Sequence, residues 1–215
     1  MPTIAVLLAA CAGATDVLAF FGLGGAFAGI ITGNLVTVGY GIAAGRATLI
    51  RPAVTAVAGV IAGEVAAAAL LRRSWAANWL LVVEFVLLLL VLAGWLATGA
   101  HPGAVLTLIL LALLSVSLGS QSIWALRVHQ TTTYFTGMLT RTIDETVGGS
   151  KGGVRRSARQ LIALLAGATA SGAVLHAVRP AAPAVPIFLL AMAAVVHLRS
   201  RRHADPDAGA GQRPA

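Results

Sequence analysis

Of 215 residues, 58% are apolar and only 10% are Asp, Glu, Lys or Arg, against roughly 25% charged in a typical soluble domain. So few charges cannot coat a water-exposed surface of this size, which all but excludes a soluble enzyme or a nucleic-acid-binding domain; the mean hydropathy of +0.89 describes a polytopic membrane protein. The formal charge of +8 then reads as Lys and Arg gathered in cytoplasmic loops, and a single cysteine excludes an internal disulfide or a multi-cysteine metal site.

A hydrocarbon core about 30 Å thick takes roughly 17–25 helical residues to cross. In chain order, six stretches meet that length: Thr3 to Leu23, Ala53 to Leu71, Trp79 to Thr98, Ala104 to Leu126, Gln160 to Val178 and Pro183 to Leu198. Cys11 reads as a small residue inside the first span, because the apolar run before it is too short for a signal peptide and continues well past it. Trp75, Trp79 and Trp95 fall near predicted span ends, where aromatic rings favour the membrane interface. Gly25 to Ala44 is apolar but broken by glycines, and Thr131 to Val147 contains Arg141, Asp144 and Glu145. Both are expected to be short or re-entrant half-helices, which are tolerated at depth only when buried in protein or lining a cavity. Gly148 to Gly153 is expected to be a flexible linker, and 204–215 a disordered tail.

Six crossings place twelve of the fifteen basic residues on one side and leave Arg46, Arg51 and Arg179 on the other. The excess marks the cytoplasmic side and puts both termini there. Eight crossings, counting the two half-helices as spans, give the same termini.

The chain also resembles itself. Thr32-Gly33 returns as Thr136-Gly137, Arg51 as Arg155 and Gly63 as Gly167, all 104 residues apart, and Trp79 to Thr98 overlays the last span at the same offset. The expected fold is therefore an all-α transmembrane helix bundle of about six spans plus two Thr-Gly half-helices. Its halves are 1–98 and 99–203, a 3+3 repeat. Three crossings per half, an odd number, would insert the second half upside down, the arrangement in which transporters bind near the midplane between broken helices.

Polar residues at membrane depth mark the expected site. An ionisable group at the bilayer centre costs roughly 2.5–3.5 kcal/mol on insertion scales and is a functional hypothesis by default. Asp16, Glu64 and Glu84 are such residues. Glu84 lies close enough to Asn78 and Trp79 to reach the interface, and Glu64 follows a Gly59/Gly63 spacing suited to helix contact. Asp16, Thr32, Gly33, Asn34, Gln121, Thr133, Thr136 and Gly137 are the expected substrate-binding residues, with Glu64 the coupling group. The histidines have no metal-ligand spacing and no nucleophile stands beside a base. The readings are thus a transporter of a small solute or ion, with no cofactor and no metal; a small-ion channel; and a non-transporting scaffold using its glycine faces. The expected partners are the lipid bilayer, the solute and a possible second copy of the chain, with no nucleic acid.

Asp16, the run Phe27-Ala28-Gly29-Ile30-Ile31-Thr32-Gly33-Asn34, Gly119-Ser120-Gln121 and Thr132-Thr133-Tyr134-Phe135-Thr136-Gly137 together resemble the YoaK family across most of the chain. Its members are small bacterial inner-membrane proteins classed as a domain of unknown function. This sequence departs from the pattern at Ile31, where Met is usual, and at Ser122, where Asn is usual. The resemblance implies about six helices in the cytoplasmic membrane, and neither a substrate nor an activity.

Overall fold

The computed structural model describes residues 2–72, 77–127, 137, 140, 143 and 151–204. Seven helices stand out among them: α1 (Pro2–Val17), α2 (Ile31–Ala43), α3 (Ala47–Leu70), α4 (Ala77–Ala97), α5 (Ala104–Arg127), α6 (Lys151–Ala177) and α7 (Ala184–Ala204). One π-type turn, Leu18–Gly22, prolongs α1. Six of these segments are long and apolar enough to cross a membrane, and α2 is the short one. The protein is a membrane-spanning helical bundle.

The span ends differ from expectation in physically readable ways. The third helix starts at Ala47 rather than Ala53 and carries Pro52 inside it. Proline this near a helix start removes only one early backbone bond. α6 begins at Lys151, so Lys151-Gly152-Gly153 belongs to a helix and not to the expected linker, whose remainder lies outside the described residues. Residues 205–215 of the expected tail lie outside them too. Trp95 does not sit at a lipid interface but is fully buried, whereas Trp79 is exposed; Trp75 is outside the described residues.

Lipid is as apolar as leucine, so helices in a bilayer associate by close packing and small residues rather than by the hydrophobic effect. Two crossings show this. Where α1 meets α6, a Cβ on Gly13 would strike the Leu164 carbonyl, and one on Gly167 would strike the Ala10 carbonyl. Where α3 meets α5, Gly63 lies on the Val116 carbonyl and Gly119 on the Val60 carbonyl. In each case a glycine touches the carbonyl three residues before its partner glycine, so each crossing is locally two-fold. Such contacts admit Cα–H···O bonds of about 0.5–1 kcal/mol each.

These crossings organise the bundle. α1 packs most extensively on α6 and then on α7, while α5 packs on α3 and then on α4. Contacts of α1 with α5, and of α4 with α7, are slender by comparison. The molecule is thus two tight bundles, α1–α6–α7 and α3–α4–α5 with α2 attached to α3, meeting along a looser seam.

One end of the seam is latched. The Arg179 Nε donates to the Ala100 carbonyl at 3.0 Å, and the Trp95 Nε1 donates to the Arg179 carbonyl at 3.0 Å. The guanidinium also stacks 5.2 Å from the Trp95 ring centre. These bonds bring the α4–α5 and α6–α7 turns to the same face of the bundle. Gly99 at φ 60 closes α4, with Ala100 N donating back to the Trp95 carbonyl, the left-handed stop typical of helix ends.

Candidate functional site

The first Thr-Gly element begins where α1 ends. Gly24 and Gly25 take φ of 105° and 80°, a left-handed turn that side chains resist, and the chain doubles back. Gly24 faces Pro52 and Thr107, whereas Gly29 faces Leu118. Thr107 and Leu118 are eleven residues apart on α5, so at 1.5 Å per residue the segment descends about 16 Å into the bundle. α2 then climbs back to the start of α3. With thirteen residues it is about 20 Å long, too short to span. The element is re-entrant, which removes the eight-crossing reading for the first half.

An unwound segment at this depth has backbone groups that lipid cannot satisfy. Two of the expected site residues serve that need. Asp16 Oδ1 accepts the Gly29 N–H at 2.8 Å. Asn34, buried to 2%, accepts the Phe27 N–H at 3.0 Å and donates to the Phe27 carbonyl at 2.7 Å. The amide thereby imitates one rung of a β-ladder, a job that needs both a donor and an acceptor. Phe20 stacks on Phe27 at 4.5 Å. Thr32 is exposed and Gly33 half-buried at the start of α2.

A second group of polar side chains lies on the seam. Cys11 is wholly buried on α1, its Sγ directed at the Pro186 carbonyl on α7 at 3.4 Å. Gln121 from α5 and Glu84 from α4 both come close enough to act on its thiol. Gln121 is 1% exposed and Glu84 2%. Among the described residues, no hydrogen bond of ordinary geometry reaches Glu84 Oε1, the Ser115 and Ser117 hydroxyls, or Trp124 Nε1. Trp124 meets the His197 ring of α7 edge-on at 5.5 Å. An apolar groove of about 360 Å³ between α4 and α7, lined by Leu81, Phe85, Leu190, Ala194 and His197, runs alongside.

Glu84 is the residue that sequence reading misplaced. It does not reach the interface but faces inward with Leu88, Val91 and Trp95, all buried. The 84, 88, 91, 95 spacing is one helical face. It was hidden because α4 is apolar all round and offers no contrast between its faces. Glu64, by contrast, is half-buried beside the α3–α5 crossing, where its backbone nitrogen lies against Gly119. It belongs to one bundle rather than to the seam.

The structure therefore brings Asp16, Asn34 and Gly29 together, and Cys11, Gln121 and Glu84 together. The two groups are five residues apart on α1, about 7.5 Å along its axis. Thr133 and Thr136 lie outside the described residues. Gly137 is helical and exposed, with open space around it. Among the described residues no group of three His, Cys, Asp or Glu side chains is placed to hold a metal ion.

No curated protein and no solved structure matches the chain. One family model matches residues 4–196, nearly the whole membrane-spanning region, and accords with the resemblance noted from the Thr-Gly motifs. The chain belongs to the family described as protein of unknown function, DUF1275.

Proposed function

We propose that this protein carries a small solute or ion across a bacterial cytoplasmic membrane, with both termini in the cytoplasm, by rocking its two bundles about the seam. The observation that carries this reading is the placement of the buried polar side chains. Cys11, Glu84, Gln121 and Trp124 gather where the packing is loosest, while the glycine crossings hold each bundle rigid. Polar groups left without partners at depth are costly, and alternating access gives them a use as a station that each side of the membrane reaches in turn. We read their role as transport rather than catalysis.

The internal repeat belongs to this proposal. Gly63 and Gly167 are 104 residues apart, and Gly13 and Gly119 are 106 apart. They occupy corresponding places in the two crossings, and α3 and α6 begin at positions 47 and 151. The rigid units would then not be the sequence halves. The first helix of each half packs on the second and third helices of the other, as expected of interlocked inverted repeats. Thr32 and Gly33 would line the path. Asp16 and Asn34 would hold the first element in place.

Cys11 is the only cysteine, so a maleimide reports on the seam without background. In native membranes we expect slow labelling of Cys11, accelerated by Arg179→Ala, which releases the latch. A thiol that stays unreactive until the protein is unfolded, in both proteins, would favour a rigid scaffold and end the transport reading. Labelling accompanied by single-channel currents would favour a channel over a carrier.

A further inference from the structure

We propose that Glu84 is a proton-binding site on the seam, and that it rather than Glu64 couples transport to the proton gradient. This rests on the transport reading above and assigns its coupling group.

The position leaves a carboxyl group few alternatives. Glu84 is 2% exposed, and among the described residues no hydrogen bond reaches its Oε1. Among the described residues, the elements packed around it carry no compensating cation: α1, α4, α5 as far as Leu126 and α7 as far as Leu198 contain neither Lys nor Arg. The groups that face the seam are the Cys11 thiol from α1, Ser117, Gln121 and Trp124 from α5, and His197 from α7. A carboxylate without a counter-charge at this depth is expensive, whereas the protonated acid is neutral and needs only a hydrogen-bond acceptor.

The only bond made or broken in the cycle is the carboxyl O–H, and the proton comes from and returns to water at whichever side the seam is open. Glu64 has no comparable setting, because it is half-buried within one bundle.

The test reads proton binding directly and does not require a known solute. Full-length protein in lipid vesicles is examined by infrared difference spectroscopy between acid and alkaline buffer, with the isosteric Glu84→Gln, the shortened Glu84→Asp and Glu64→Gln. We expect wild type to show a protonated-carboxyl band that fades as pH rises and is unmoved when choline replaces sodium. The band should vanish in Glu84→Gln, shift in Glu84→Asp and persist in Glu64→Gln, with all variants eluting as folded protein. A band that survives Glu84→Gln, that ignores pH, or that sodium removes at constant pH overturns the proposal, the last by revealing a cation site. Proton-driven flux undiminished in Glu84→Gln would also overturn it. Absence of any flux alongside an intact Glu84 band would instead refute the transport reading alone.

Discussion

Replacing Gly167 by alanine is the sharpest test of how the bundles are held together. The added Cβ would fall on the Ala10 carbonyl of α1. Backbone cannot swing aside as a side chain can, so α1 and α6 must separate until carbon and oxygen reach the 3.3–3.6 Å of a Cα–H···O contact. A gap of about 0.5–1 Å forfeits a quarter to a half of each pairwise attraction along the crossing. Overpacking of this kind costs about 1–3 kcal/mol, and an obstacle made of backbone puts the change at the upper end, near ~3 kcal/mol. Alanine recovers up to about 1 kcal/mol in helix propensity, which leaves a net loss of about 2 kcal/mol. Detergent-driven unfolding followed by tryptophan fluorescence measures it. The two-fold crossing makes a further demand. Gly13→Ala acts on the same contact, so once Gly167→Ala has parted the helices the second change should cost much less, with a coupling of about 0.5–3 kcal/mol. Gly167→Ala combined with Gly63→Ala, which belongs to the other crossing, should add. The reasoning is falsified if Gly167→Ala stays within about 0.5 kcal/mol of wild type, or if both double variants are equally additive.

Three other outcomes follow from the same geometry. Asp16→Ala leaves the Gly29 N–H without its acceptor and should lower stability by about 1–3 kcal/mol. Asp16→Asn keeps an oxygen in place and should keep most of that stability, so loss of transport in a stable Asp16→Asn would show that the charge itself is used. Asn34→Leu can neither accept the Phe27 N–H nor donate to the Phe27 carbonyl. It should destabilise by more than the roughly 1–3 kcal/mol of one unsatisfied buried group, seen as a lower melting temperature in detergent, and equal stability would remove the clasp from the account. In a background lacking Cys11, cysteines at Arg46 and Arg72 should label from opposite faces of intact cells, Arg72 from the cytoplasm. Labelling of the Arg46 site from the cytoplasm instead would contradict the re-entrant path of Leu23 to Ile30.

Much of this molecule was legible in composition and periodicity. A low charge fraction and apolar runs of membrane-spanning length impose six long helices, since in hydrocarbon only a helix or a closed barrel satisfies its own backbone. Glycine interruptions between Gly25 and Ala44 announce a broken element for the same reason, and a run that short has no other way to be stable at depth. What linear order does not contain is which helices touch. The crossings of α1 with α6 and of α3 with α5 join residues some 150 and 55 positions apart, and small residues recur too often in such a composition for spacing alone to pair them. Asp16 and Asn34 stood out as polar residues at depth, but only the folded path of Leu23 to Ile30 decides that they fasten a backbone. Glu84 shows the limit most clearly. Every neighbour on α4 is apolar, so no contrast marks an inner face, and it took the packing of α4 on α5 and α7 to enclose that carboxyl.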